Sequence, residues 1–351
     1  MSVLDQIELP IVQAPMAGGP STPALVAAVG GAGGLGFLGA GYVTPARLAA
    51  DIAAVRVALA GPFGVNVFVA DASGAPRPSV DAYAREIAEE AARVGVAAGV
   101  PRFDDDDADA KIDLLCADPV AVVSFTFGLP PEEVVRRLGA VGTEVWVTVT
   151  SPDEARAAIE LRPDALVVQG VEAGGHRGIS VDDDEASDLT LLAALQLIEP
   201  VTDCPLVAAG GLSTGGAIAA VLVAGAAAAQ LGTAYLRCPE AGTSEVHRVA
   251  TASPSRTVLT RAFSGRLARG IENRFHRDHA STAPRAYPEV HHLTSPVRAH
   301  GRASGDADLV NLWAGQTHQL AQARPAGELT RALADDARRA LSDAARRLGA
   351  G

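Results

Sequence analysis

Eight short runs rich in Val, Ile and Leu alternate with Ala-rich segments of helical spacing, and this alternation constrains the fold most. The apolar runs are IVQAPM (11–16), LGFLGA (35–40), FGVNVFV (63–69), VAVVSF (120–125), EVWVTVT (144–150), ALVVQG (165–170), PLVAAGG (205–211) and AAAQLGT (227–233). Helices are predicted over Pro23–Val29, Pro45–Leu59, Val80–Val94, from Pro130 and Pro131, after Ser151, over Leu189–Ile198 and from Thr214. Ser151 is a ready N-cap with Pro152 at the first helical position. Parallel strands require crossover helices, so strict alternation predicts a parallel sheet. An open doubly wound sheet competes with a closed barrel. The count of eight and the even spacing favour a (β/α)8 TIM barrel of the α/β class over residues 1–240.

Beyond residue 240 the pattern breaks. Residues 241–309 are more polar and dotted with His and Pro, and are expected to form a small additional lid or substrate subdomain. Residues 310–351 return to helical spacing and are expected to pack back on the barrel. The acidic run Asp104 to Asp107 reads as a solvated loop.

Composition excludes several functions. With 41 acidic against 29 basic residues the net charge is −12, which disfavours a nucleic-acid or anionic-membrane partner. Cys116, Cys204 and Cys238 are widely separated, so neither a metal site nor a disulfide framework is expected. The N-terminal decapeptide carries acids where a secretory signal would carry bases, and no apolar stretch is long enough to span a bilayer. A soluble, cytoplasmic protein is expected.

One glycine pattern is a decoy. GGAGGLG at 30–36 matches a dinucleotide fingerprint, but it follows a helix and precedes a strand, the reverse of the required order. It reads as a helix end and a tight turn.

In a barrel the chemistry gathers where strands end. Those positions here are Ala14-Pro15-Met16, Asn66, Ser124 to Phe127, Thr148, Gln169 to His176, Ala209 to Gly211 and Gln230 to Thr233. They are small, amide and hydroxyl groups with almost no positive charge, which suits a flat, polar-edged, mostly neutral ligand. The AAGGLST and QLGTAY turns after the seventh and eighth strands resemble a phosphate cradle, because bare glycines let backbone N–H groups approach an anion. His176 is the histidine at a strand end in the barrel half, set behind Gly174 and Gly175. It can be a structural hydrogen-bonding residue or an acid–base group over the barrel mouth. Glu172 is a second titratable group, as readily an outward-facing acid. No serine elbow, zinc motif or carboxylate cluster is present.

Together, QAPMAGG (13–19), GVNVFV (64–69), VVQGVEAGGHRG (167–178), LVAAGGLSTG (206–215), AQLGTAYL (229–236) and LWAGQ (312–316) resemble the nitronate monooxygenases, formerly called 2-nitropropane dioxygenases. The resemblance covers nearly the whole chain in order. It implies a non-covalently bound FMN, with Asn66, Gln169, Gly174, Gly211, Gln230, Leu231, Gly232 and Thr233 as contacts, Met16 against the flavin, and His176 as the catalytic residue. It further implies oxidation of an alkyl nitronate, such as propionate 3-nitronate, by O2 to a carbonyl compound and nitrite, a role in nitroalkane detoxification. In that reaction His176 would serve as a hydrogen-bond donor to the nitronate, or as a base towards a neutral nitroalkane. The alternative is an FMN-dependent NAD(P)H reductase of the enoyl-ACP or quinone type, which shares the barrel and a similar Gly-Gly-His loop. Assembly as a homodimer stays open. Tyr287 and the His291-His292 pair are candidates for the pocket wall or for the surface.

Overall fold

A computed structural model describes residues 2–69, 77–183 and 188–349. Eight parallel strands close into a barrel: β1 (Ile11–Gln13), β2 (Leu35–Gly39), β3 (Phe63–Phe68), β4 (Val122–Thr126), β5 (Glu144–Val149), β6 (Ala165–Gln169), β8 (Leu206–Ala209) and β9 (Ala228–Leu231). The seam between β1 and β9 closes with Gln13 opposite Leu231. The eight strands fall on the eight apolar runs of the sequence; seven lie inside their runs, and β4 continues one residue past its run, to Thr126. The first run stops at Gln13, and Ala14-Pro15-Met16 turn away over the barrel mouth.

Two apolar layers hold the barrel. Val12, Phe37, Val122, Trp146, Val167 and Val207 fill its interior, and Trp146 is fully buried against Phe37 at a ring separation of 5.5 Å. The outward faces of the strands pack on the helical ring through Leu25, Ile52, Leu115, Leu138, Leu195 and Ile218. Helix starts follow the expected chemistry: Ser151 accepts from Glu154 N–H at 3.2 Å with Pro152 next in line, and Thr214 accepts from Ala217 N–H at 3.2 Å. In the decoy segment, Gly31 N–H returns to Ala27 O and Gly34 N–H to Val29 O, which ends helix Pro23–Gly30 and turns the chain into β2.

Two features depart from the sequence-based picture. The predicted helix after β3 exists, as Arg77–Arg93, but its buried face (Val80, Tyr83, Ile87, Ala91) joins a separate core with Phe263, Phe275, Val290 and Val297. The place beside β3 is taken by a helix the sequence reading missed, Ala108–Ala117, through Ile112 and Leu115. The acidic run is only partly a solvated loop. Asp106 accepts from Tyr42 N–H at 2.9 Å and pairs at 2.8 Å with Lys111, whose side chain is fully buried.

A three-stranded antiparallel sheet caps the barrel: β7 (Gly175–His176), β10 (Thr257–Thr260) and β11 (Ala268–Ile271), with β11 in the middle. Helix Glu289–Ser304 packs on helix Arg77–Arg93, and helix Ala326–Arg347 packs along helix Gly215–Val223. No helix among the described residues is long and apolar enough to cross a membrane.

Candidate active site

The strand ends and the cap enclose a cavity of about 430 Å³. Met16, Asn66, Gln169, Gly174, His176, Gly211, Gln230, Leu231, Gly232 and Thr233 all line it, so the ten positions singled out in the sequence meet in one place.

The cavity floor is built from backbone. Ala209 at the end of β8 lies opposite Gln230 in β9, which sets the two glycine turns side by side. Gly211 has φ +67°, a conformation that a side chain would strain, and the turn leads into the helix capped by Thr214. The N–H groups of Gly211, Gly232 and Thr233 have no acceptor among the described residues. A segment the sequence reading gave no site role, Trp313 to Thr317, bridges the two turns. Gly315 N–H donates to Thr233 Oγ1 at 3.0 Å, and Thr317 Oγ1 donates to Gly211 O at 3.1 Å. Gly174 lies against the same segment: a Cβ there would sit 2.4 Å from Gly315 N and 2.5 Å from Ala314 C. Its missing side chain therefore makes room for backbone.

The wall is a polar belt. Asn66 Nδ2 donates to Ser124 Oγ and Thr126 Oγ1, both at 3.0 Å, and Thr126 Oγ1 is 3.3 Å from Thr148 Oγ1. Gln169 works mainly on the next loop. Its Oε1 accepts from Arg177 Nη1 at 2.9 Å and Gly178 N–H at 2.8 Å, while its Nε2 donates to His176 O at 3.2 Å. Glu172 is half-buried and lines no part of the cavity: its carboxylate receives Leu191 N–H at 3.0 Å at the start of the following helix.

His176 is pinned from both sides. The chain around it is a strand, with His176 opposite Ala268 of β11, and its Nε2 lies 2.8 Å from Ser264 Oγ. Phe127, Tyr287 and Trp313 surround the ring with centroids 5.5–5.7 Å away. Burial, aided by the charges of Arg266 and Arg298, pushes its pKa down to about 3, so the imidazole is neutral at pH 7. Nδ1 has no partner among the described residues.

The sequence reading missed the rest of this wall. Ser264, Trp313 and Arg298 lie in segments without strand-end signals, and only the cap brings them to the barrel. His291 lines the cavity and stacks on Tyr42 at 4.1 Å, whereas His292 turns outward to Asp104 at 3.4 Å. Tyr287 touches the site through its ring and donates to Tyr42 Oη at 3.0 Å.

This geometry can be compared with known proteins. The nitronate monooxygenase family profile matches residues 2–336. The chain belongs to the nitronate monooxygenase family. A probable nitronate monooxygenase of Staphylococcus aureus is 36% identical over 338 residues, covering 92% of each chain. Among solved structures, the nitroalkane oxidase of Streptomyces ansochromogenes superposes with a TM-score of 0.95 at 49% identity, over 97% of this chain and 99% of that one. FabK of Thermotoga maritima is more distant, with a TM-score of 0.76 at 25% identity, over 99% and 96%. Membership makes the chain an oxidoreductase acting on small molecules, in a family that depends on flavin.

Proposed function

We propose that the chain is an FMN-dependent nitronate monooxygenase that oxidises alkyl nitronates with O2 to carbonyl compounds and nitrite. The observation that carries this reading is a neutral, partnered histidine on the wall of a cavity whose floor presents backbone N–H groups without an acceptor among the described residues. FMN fits the residues present. The N–H groups of Gly211, Gly232 and Thr233, at two neighbouring turns, suit an anionic phosphate. Asn66, Gln169, Gly174, Gln230 and Leu231 would line the ring system, with Met16 against it. Bound there, FMN supplies the electron transfer and the reaction with O2.

The remaining work falls to the chain. When Ser264 donates its hydroxyl proton to His176 Nε2, Nδ1 carries the ring proton. The imidazole can then donate to the oxygen of a nitronate without any change of charge. The opposite tautomer would leave Nδ1 bare, as a base towards a neutral nitroalkane. A nitronate is already deprotonated, so the donor role needs no proton-abstraction step. Phe127 and Trp313 line the cavity beside the imidazole, so apolar rings would meet the carbon chain of a substrate held there.

The test is anaerobic mixing of the oxidised, yellow protein with NADH or NADPH, and separately aerobic turnover of propionate 3-nitronate. The expected result is nitrite release and O2 uptake with the nitronate and slow or no bleaching by pyridine nucleotide. Rapid bleaching by pyridine nucleotide with no nitronate turnover would overturn the reading in favour of a reductase.

A further inference from the structure

The cavity is lopsided in charge. Among the described residues no Asp or Glu lines it, and its histidines His176, His247 and His291 all have pKa values pushed down by burial. Its permanent charges are Arg298 and Arg302, one helical turn apart on helix Glu289–Ser304.

Arg298 is only 5% exposed. Its Nε donates to Thr294 Oγ1 at 3.0 Å and its Nη2 to His291 O at 2.7 Å, with His291 Nδ1 at 3.3 Å. All three partners are neutral. Nη1 takes no acceptor among the described residues, and no carboxylate pairs with the guanidinium there. Burial and the like charge of Arg302 lower its pKa only to about 10, so it stays charged at pH 7. A buried cation without a counter-ion is costly, and natural interiors normally pair such groups. The Thr294 and His291 contacts fix the direction of the guanidinium plane but leave its charge uncompensated. His176 feels that charge too: burial lowers its pKa most, the charge of Arg266 next and that of Arg298 after it. An anion held beside His176 would therefore be attracted by Arg298 as well.

We infer that Arg298 is a specificity-determining residue, whose uncompensated charge selects anionic nitronates over neutral nitroalkanes of the same carbon skeleton. This rests on the nitronate reading of the site, and the experiment separates the two. Arg298→Met, Arg298→Gln and Arg298→Lys are compared with the parent for bound flavin, for kcat/KM on a nitronate and on its parent nitroalkane, and for binding of inorganic nitrate by calorimetry. Nitrate is a planar oxyanion whose binding needs no turnover.

Met and Gln are expected to lower kcat/KM for the nitronate about 100-fold, mainly through KM, as loss of a charge-assisted contact should. The nitroalkane should change less than about threefold, flavin content should hold, and nitrate binding should vanish. Lys should recover to within about tenfold. Equal losses on both substrates, or loss of flavin with nitrate binding intact, would overturn the assignment. If the parent turns over no nitronate, the functional reading fails and nitrate binding alone decides the role of Arg298. If Arg298→Met does not fold, the Gln and Lys variants decide it.

Discussion

The floor and the cap of the cavity are built by different means. The floor, from β8, β9 and the 313–317 segment, offers backbone N–H groups, glycines and amides in a rigid ladder. The cap, from β7, β11 and helix Glu289–Ser304, offers side chains, an imidazole and a guanidinium, and Phe127, Tyr287 and Trp313 ring the imidazole from adjoining loops. A backbone surface suits a cofactor that stays, because its donors are fixed by the fold and cannot rotate away. A side-chain surface suits what comes and goes, since small changes retune it without disturbing the barrel. The two halves should therefore fail separately.

The sharpest separation should come from His176→Ala. Turnover is expected to fall by 100-fold or more, the scale of a lost acid–base or donor group, while the flavin stays bound. Steady-state rates with an absorbance spectrum check both, and full activity would make the histidine purely structural. Gly174→Ala should do the reverse, striking the floor. Its Cβ would collide with the backbone of Ala314 and Gly315, which cannot yield as a flexible side chain would. Overpacking of this kind costs about 1–3 kcal/mol. A lowered melting temperature and weakened flavin retention are expected, measured by thermal unfolding and by flavin released on gel filtration. An unchanged melting temperature would show that the 313–317 segment does not brace the floor.

The smallest effect concerns pH. His176 and His247 have pKa values pushed down to about 3 and about 4, below their ordinary value near 6.5. The unfolded chain therefore binds protons between those values that the native protein does not, so stability falls as pH drops below about 6.5. Above that window neither group contributes a slope. A flat kcat between pH 6 and 8 with a melting temperature that declines below pH 6 is expected. An inflection in kcat near 6.5 would mean that His176 is exposed to water in the working enzyme.

Legibility differed in the same way as chemistry. The barrel was readable because its signal is local: a strand of five residues and its following helix are written in adjacent positions. The strand-end residues from Met16 to Thr233 followed from the barrel rule, and all ten reached the cavity. Gln169 was found by position, but its work of holding Arg177, Gly178 and His176 was not readable, since an amide at a strand end looks the same whichever way it donates. Helix Arg77–Arg93 was legible as a helix but not as part of the second core, because its apolar spacing does not name the surface it meets. Helix Ala108–Ala117 was hidden behind the acidic run, whose Asp106 turned out to be an ion-pair partner for the buried Lys111.

By itself the sequence determined the alternating architecture, the neutral strand-end chemistry and the glycine turns, all of which depend on residues near one another in the chain. Only the tertiary structure decided that Ser264, 88 positions from His176, holds its imidazole, and that Arg298 stands charged on the same cavity without a carboxylate partner among the described residues. The reason is physical. Periodicity records which face of an element is buried, whereas a side chain's partner and pKa depend on what arrives from elsewhere to desolvate it.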